Sequence, residues 1–502
     1  MEVENKKLSL YKIITIIMIV VGFLAVIVVN IFNDKTIVNL EKINSNGALD
    51  TYKITYSNGT TSNFTVESDK VTIYDIYNSL KEAGYNYSYS EFLKEYLNYE
   101  TTESNKTVNI NKALLSSVSV YSEFEIIKKQ PVYTETPFGS MVTSYKDVKD
   151  TAIGAGSGII YDLDIENGNA YIITNYHVVF NKDAQNENNI GKINVFLYGS
   201  NIDVKYLVNN NKESILNEKG YPTVTYGKSA IECEYIGGSL NYDIAVLKIT
   251  NSNVLKQSNA KEVNIASSYK TNENNTKIVN SYVVGQTAIA IGNPEAQGIS
   301  VTEGVVSVDS EYMQMYGADE STVVTFRTMR IDTAINSGNS GGGLFNEKGE
   351  LIGIVNAKIV AEDIENIAYA IPRDIVVNVA ENLIYNSSNL KVNRMMLGMS
   401  LIGENSIAKF DNETQTTYIY EDVMIESLDE GSIAENLGFK TGDKINSITI
   451  NDVTYTFNRM YNVIDLSLNI RLNDNITYNL TRNGQMTTLS FVATSEFFSN
   501  ID

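Results

Sequence analysis

Between Ala113 and Pro372 the chain breaks into short apolar runs rich in Val, Ile and Tyr, separated by Gly, Asn and Ser. Ser157–Tyr161, Ala170–Thr174, Ile193–Tyr198, Ile244–Ile249, Ala288–Ile291, Val323–Arg327 and Leu351–Val355 are examples. Their length suits strands rather than helices, and turn residues recur between them. Many short strands in one region call for a sandwich or barrels. A stretch of this size fits two small barrels with long loops. Ile375–Tyr385 reads as a helix, followed by a linker over 386–393.

The flanks differ. Ile13 to Phe32 is an apolar run of twenty residues interrupted only by Thr15, Gly22 and Asn30. At about 1.5 Å per residue it is long enough to span a hydrocarbon core of about 30 Å. Lys6, Lys7 and Lys12 precede it, so the positive-inside rule leaves residues 1–12 as a cytoplasmic tail and places the rest outside. A signal peptide is the competing reading. The run is longer than a typical signal core, and no small-residue cleavage motif follows, which favours an uncleaved anchor over 13–32. Residues 35–111 read as a small α+β segment. There Thr51–Tyr56 and Ser62–Glu67 flank Asn58-Gly59 as a hairpin signal, and Ile73–Ala83 and Tyr89–Leu97 carry helical spacing. Its default role is a spacer or a partner-binding module. Over 394–493 a last module shows the strand-like Val423–Glu426, a helix at Ser432–Leu437, a turn Gly438–Gly442 and a strand Lys444–Ile450. The tail Thr494–Asp502 reads as frayed.

Composition narrows the chemistry. The formal net charge of −21 disfavours nucleic acid, whose phosphates require basic surface. The chain has one cysteine, Cys233, and one histidine, His177. No intrachain disulfide is available, and a zinc enzyme, which needs several imidazole or thiolate ligands, is disfavoured. Cys233 sits in a strand-like run and reads as buried. Acid–base chemistry that needs imidazole has only His177 to use.

Three residues form a constellation. Ser340 lies in Asn336-Ser337-Gly338-Asn339-Ser340-Gly341-Gly342-Gly343, where glycines permit a tight turn and the N–H groups of Gly338 and Ser340 are the obvious oxyanion donors. His177 ends the β-like run Ile173–Thr174, and Asp243 opens the apolar strand Ile244–Ile249. Taken singly, each also fits a plain role: a glycine-rich turn, a structural histidine, a capping aspartate. Together they occur in the order His, Asp, Ser, one of the known orders of the nucleophile–base–orienter triad.

Longer stretches carry a resemblance. Gly156-Ser157-Gly158-Ile159-Ile160, Thr174-Asn175-Tyr176-His177-Val178-Val179 and Asp243-Ile244-Ala245-Val246-Leu247-Lys248 are followed by Ala290-Ile291-Gly292-Asn293-Pro294 and Val301-Thr302-Glu303-Gly304-Val305-Val306-Ser307. Then come Asp332-Thr333-Ala334-Ile335-Asn336, Gly338-Asn339-Ser340-Gly341-Gly342 and Ala368-Tyr369-Ala370-Ile371-Pro372. From about Ala113 to Val492 the chain resembles the HtrA (DegP/DegS-like) serine proteases. The resemblance implies a mainly β fold: a two-β-barrel, trypsin-like protease domain over 113–385 and an α+β PDZ-like domain over 394–493. It implies an endopeptidase that cleaves unfolded proteins through an acyl-enzyme, with His177 as base, Asp243 as orienter and Ser340 as nucleophile. It implies no cofactor and no metal, and a specificity pocket lined by Ile335 and residues near 356–359. Leu397-Gly398-Met399-Ser400 resembles a PDZ carboxylate loop, and 426–445 its helix and following strand, which implies peptide C-termini as ligands. The family often forms trimers; no residue here demands one. Ser337 and Gly343 stand where the family often has proline, which predicts a less pre-formed oxyanion turn and low basal activity. Inserted stretches at Asn209–Lys219 and Lys270–Asn280 predict longer loops. A protease-like binding protein with little hydrolysis is the alternative function. The anchor and lysines predict a single-pass protein of the cell membrane with both folded domains extracytoplasmic.

Overall fold

The computed structural model describes residues 37–45, 49–56, 61–67, 77, 81, 102–136, 139–272, 276–279, 282–356, 367–386, 390–412 and 414–501. The chain divides into two units, Met1–Thr102 and Glu103–Asp502. In the first, Ile37–Ser45, Leu49–Tyr56 and Thr61–Glu67 form a three-stranded antiparallel sheet. Strands two and three pair as the hairpin signal predicts; their turn, with Asn58-Gly59, lies outside the described residues, as do the apolar run 13–32 and nearly all of the two expected helices. Among the described residues no helix is long and apolar enough to cross a membrane.

The second unit begins earlier than the predicted boundary at Ala113. The helix Thr102–Leu114 buries Ile110, Ala113 and Leu114 in the same cluster as Phe345 and Leu351. It therefore belongs with the barrels, and the small segment does not run to residue 111. Lys192–Leu197, Ser117–Thr136, Gly139–Asp164, Asn169–Thr174, Ile244–Ile249 and Ile231–Ser239 close a first six-stranded barrel. Thr287–Gly292, Ser300–Tyr316, Val323–Ile331, Ala368–Pro372, Leu351–Val355 and Gly343–Phe345 close a second. Closure pairs the strand edges within each barrel, while the hairpin Ser117–Thr136 with Gly139–Asp164 runs on beyond the first. Nearly continuous burial along Ile244–Ile249 and Leu351–Val355 explains why these runs are apolar, but for Lys248, rather than alternating. One hydrophobic cluster joins Ile159, Ile173 and Val246 of the first barrel to Ile289, Phe345 and Ile371 of the second, sealed by Ile375, Val379 and Leu383 of the helix Arg373–Tyr385. Each fully buried Ile or Leu contributes about 2 kcal/mol from burial alone.

The C-terminal module has its own core around Ile425, Phe439, Ile448, Leu466 and Tyr478. Two expectations are corrected. The insertion at Lys270–Asn280 is no loose loop: Tyr269–Thr271 and Thr276–Val279 pair as a hairpin, and the second strand joins the module's sheet in parallel, Thr276 opposite Thr454. The Lys277 ammonium lies 5.3 Å from the Tyr455 ring centre and 5.8 Å from that of Tyr269, over both rings. The tail is not frayed either. Phe497 is buried beside Phe491, and Phe498–Asn500 pairs with Asn393–Met395.

Barrel and module also meet through charge. Arg327, 2% exposed, pairs with Asp465 of the helix Met460–Leu466 and lies 4.1 Å from the centre of the Tyr461 ring. Burial pushes the Asp465 carboxyl up to about 6 despite the Arg327 charge beside it, so desolvation outweighs the attraction. Removing one partner strands the other, whereas replacing both with apolar groups does not. Asp465→Ala is expected to cost roughly 3 kcal/mol, and Arg327→Met with Asp465→Leu to recover most of it, measured by urea denaturation followed by circular dichroism. An unfolded Asp titrates near 3.9. The raised native value therefore adds stability that is complete below that pH and is lost as pH rises through about 6. The stability difference between the parent and Asp465→Asn should follow that course.

Candidate active site

The strand Asn169–Thr174 ends at buried Asn175, which opens the single helical turn Tyr176–Val179 carrying His177. Asn175 Nδ2 and the Tyr176 N–H donate to the Asp243 carbonyl at 2.8 and 3.1 Å, which ties this turn to the start of the neighbouring strand. Asp243 adopts φ +52, a left-handed conformation that Asp tolerates better than most residues. That backbone turns its carboxylate under the histidine. Asp243 Oδ1 accepts the His177 backbone N–H at 2.9 Å, and Oδ2 faces His177 Nδ1 at 2.6 Å. Oδ2 also accepts from Asn356 Nδ2 at 2.8 Å. An ionised carboxylate only accepts, so Nδ1 carries the proton and Nε2 is left as the base. The side chain of His177 is 20% exposed and that of Asp243 10%: solvent reaches the ring more than the carboxylate that holds it.

The serine comes from the other barrel. Gly338 at φ +94 and Gly341 at φ +82 shape the turn. A Cβ on Gly341 would stand 2.3 Å from the Ser157 carbonyl oxygen and from Thr174 Oγ1, so no other residue fits there. Ser340 is 6% exposed. Its carbonyl accepts from the Ser157 N–H at 2.8 Å, and Gly341 N–H donates to Val355 at 3.1 Å. The Ser337 carbonyl accepts from the Glu295 N–H at 2.8 Å, and Asn339 N–H donates to Asn336 at 3.0 Å. Among the described residues the N–H groups of Gly338 and Ser340 have no backbone acceptor, as oxyanion donors require. No hydrogen bond among the described residues joins His177 to Ser340; such contacts are often long until substrate binds.

Hydrogen bonds from Glu295 and Ser157 hold the turn from outside. Ile335 is half-buried against the second-barrel core. Asn356 does not serve the pocket in which the resemblance places it: it is fully buried and turned onto Asp243. The sequence hinted at this only by a polar residue ending an apolar strand. Cys233 is buried, and burial pushes its thiol up. In the C-terminal module the Leu397 side chain is buried and Gly398 takes φ +72. Their carbonyls accept from Ala434 at 2.8 Å and Asp429 at 3.0 Å, while Met399 and Ser400 begin the strand Met399–Asp411.

A His–Asp pair on one closed barrel and a serine turn on the other is the arrangement of trypsin-like serine-type endopeptidases. A family model described as a trypsin-like peptidase domain matches residues 156–354, a span that includes all three triad residues. The chain is similar to HtrA/Do-like serine proteases. It is 29% identical to the Serine protease Do-like HtrA of Bacillus subtilis (strain 168), over 69% of this chain and 65% of that protein. It is 26% identical to the Serine protease Do-like HtrA of Lactococcus lactis subsp. cremoris (strain MG1363), over 70% and 77%. The chain thus spans just under two thirds of the length of the first. The solved HtrA-type protease AlgW with decapeptide aligns over 78% of this chain and 98% of that one, with 21% identity and a TM-score of 0.42.

Asn356→Ala should lower kcat by roughly 10- to 100-fold, the worth of a hydrogen bond to a charged group, with KM little changed, in initial-rate assays on unfolded casein. Ser337→Pro, by contrast, should change that rate by less than about threefold, because the turn is already held by its carbonyls and the proline only lowers chain entropy.

Proposed function

We propose that this chain is a membrane-anchored endopeptidase of the HtrA type that cleaves unfolded extracytoplasmic proteins through a Ser340 acyl-enzyme. The observation that carries the reading is the His177–Asp243 pair, braced by Asn356, with a serine turn on the other barrel whose Gly338 and Ser340 N–H groups have no backbone acceptor among the described residues. His177 Nε2 takes the Ser340 hydroxyl proton as Oγ attacks the peptide carbonyl carbon. The Gly338 and Ser340 N–H groups receive the negative oxygen. The imidazolium, stabilised by Asp243, returns the proton to the leaving amine, and a water repeats the cycle to release the acyl group.

The anchor rests on the apolar run 13–32 and the lysines before it. For the C-terminal module we infer a PDZ-like role in holding extended peptide ends. Its strand Met399–Asp411 lies at the end of the sheet order, paired with Thr416–Leu428 alone among the described residues. A peptide can add to such an edge as a further strand. The similarity to the Serine protease Do-like HtrA of Bacillus subtilis (strain 168) supports the protease class.

The detergent-solubilised full-length chain should hydrolyse unfolded casein, and Ser340→Ala should lose at least about 10³-fold in rate. Hydrolysis that survives Ser340→Ala would put the chemistry elsewhere, and a folded parent that cleaves nothing would favour the binding-protein alternative. Protease added to intact cells should remove a C-terminal epitope, since the proposed orientation puts that end outside.

A further inference from the structure

Ser157 lies in the strand Gly139–Asp164 of the first barrel, the barrel that also carries His177 and Asp243. It is 2% exposed. Its hydroxyl donates to the Gly338 carbonyl at 2.7 Å and accepts from the Asn293 N–H at 2.7 Å. Its N–H donates to the Ser340 carbonyl at 2.8 Å, and its carbonyl accepts from Thr174 Oγ1 at 2.7 Å. Every polar group of one small residue is therefore engaged. Three of its partners belong to the second barrel's serine turn and the loop behind it. The fourth leads into the turn that bears His177.

Gly338 lies between two peptide planes. The plane before it carries the oxyanion N–H, and in a trans peptide that N–H points opposite to the Ser337 carbonyl. Glu295 N–H holds that carbonyl. The plane after it is held by Ser157 Oγ on the Gly338 carbonyl. Glycine explores far more backbone space than other residues, so Gly338 keeps one conformation only because both neighbouring planes are pinned. Ser157 supports the other pin as well, since the Asn293 N–H it accepts opens the loop 293–298 that carries Glu295.

We propose that Ser157 is a positioning residue for the oxyanion hole: its hydroxyl, reaching across from the His–Asp barrel, aims the Gly338 N–H at the substrate carbonyl. This rests on the protease reading above. Without the hydroxyl the Gly338 carbonyl and the Asn293 N–H lose their shared partner, and the glycine is free to turn its N–H away. The loss falls on the transition state, where the oxygen is charged, and spares ground-state binding.

The test uses the full-length chain, a quenched-fluorescent peptide spanning a casein bond mapped with the parent, and a trifluoromethyl ketone of the same sequence, which forms a charged hemiketal on Ser340. Ser157→Ala should lower kcat by roughly 10- to 100-fold and weaken the ketone by a similar factor, with KM within about twofold, since removing a full oxyanion donor costs about 10²–10³. The pH profile of kcat/KM should keep its shape, because the His177–Asp243 contacts are untouched. Ser157→Thr, which retains the hydroxyl, should recover most of the rate. A kcat and ketone affinity within about threefold of the parent would overturn the proposal, as would a loss confined to KM. If Ser157→Ala does not fold, Ser157→Cys, nearly isosteric but a weak hydrogen-bonding group, carries the same comparison. A parent that cleaves, beside variants that cleave equally well, overturns this inference alone; a parent that cleaves nothing overturns the functional reading with it.

Discussion

Where the two barrels meet beneath the serine, backbone lies against backbone with no space for a side chain. A Cβ on Gly341 would be 2.3 Å from a carbonyl of the opposite barrel, and one on Gly156 would be 3.2 Å from the Ser340 carbonyl oxygen. The proposed chemistry depends on this approach, because His177 and Ser340 stand on different barrels and a misplacement of about 1 Å can cost about 10²-fold in rate. Close contact also removes water. Each buried peptide group must then find a protein partner or cost about 1–3 kcal/mol. Ser157, Asn175, Thr174 and Glu295 are those partners. The same hydrogen bonds that satisfy the seam also orient the turn, so stability and catalytic geometry share one set of contacts.

The C-terminal module is fastened to this core by contacts of different kinds. A hairpin from the segment between the barrels joins its sheet. Its helix Met460–Leu466 sets Asp465 against buried Arg327, and Asn378 donates to the Asp465 carbonyl at 3.0 Å. Arg459 links Glu421 of the module to Asp309 of the second barrel. Buried ion pairs add little net stability, but they penalise misdocked arrangements in which either charge is stranded. The hairpin supplies the complementary part, with backbone pairing and aromatic packing that are favourable in their own right. Tyr269 beside Tyr455 illustrates it, the rings 5.3 Å apart and edge to face.

Much of this was readable in the residues. Ile244–Ile249, apolar but for Lys248, and Leu351–Val355 announced themselves as apolar runs, and both are barrel strands with the predicted bounds. His177, Asp243 and Ser340 stood out by type, order and the glycines around the serine. The insertion at 270–280 did not, since Asn- and Lys-rich composition carries no periodicity and its pairing partner lies far along the chain at Val453–Thr456. The helix Met460–Leu466 was missed as well. It is short, and its buried Asp465 and Asn462 break an apolar stripe because they face the protein rather than water. The tail was misjudged because a terminal position says nothing about a pocket waiting for Phe497.

Sequence alone determined the strand-rich class, the barrel region and which side chains are the candidates for acid–base and nucleophilic chemistry, since these depend on local pattern and on side-chain chemistry. Tertiary structure decided what joins them: that Asn356 belongs to Asp243, that a surface insertion completes a distant sheet, and that Ser157 spans the seam. The physical reason is that a hydrogen bond between residues 157 and 338 leaves no local mark on either segment. It exists only after two barrels have closed and packed, and the polar atoms left between them have no water to turn to.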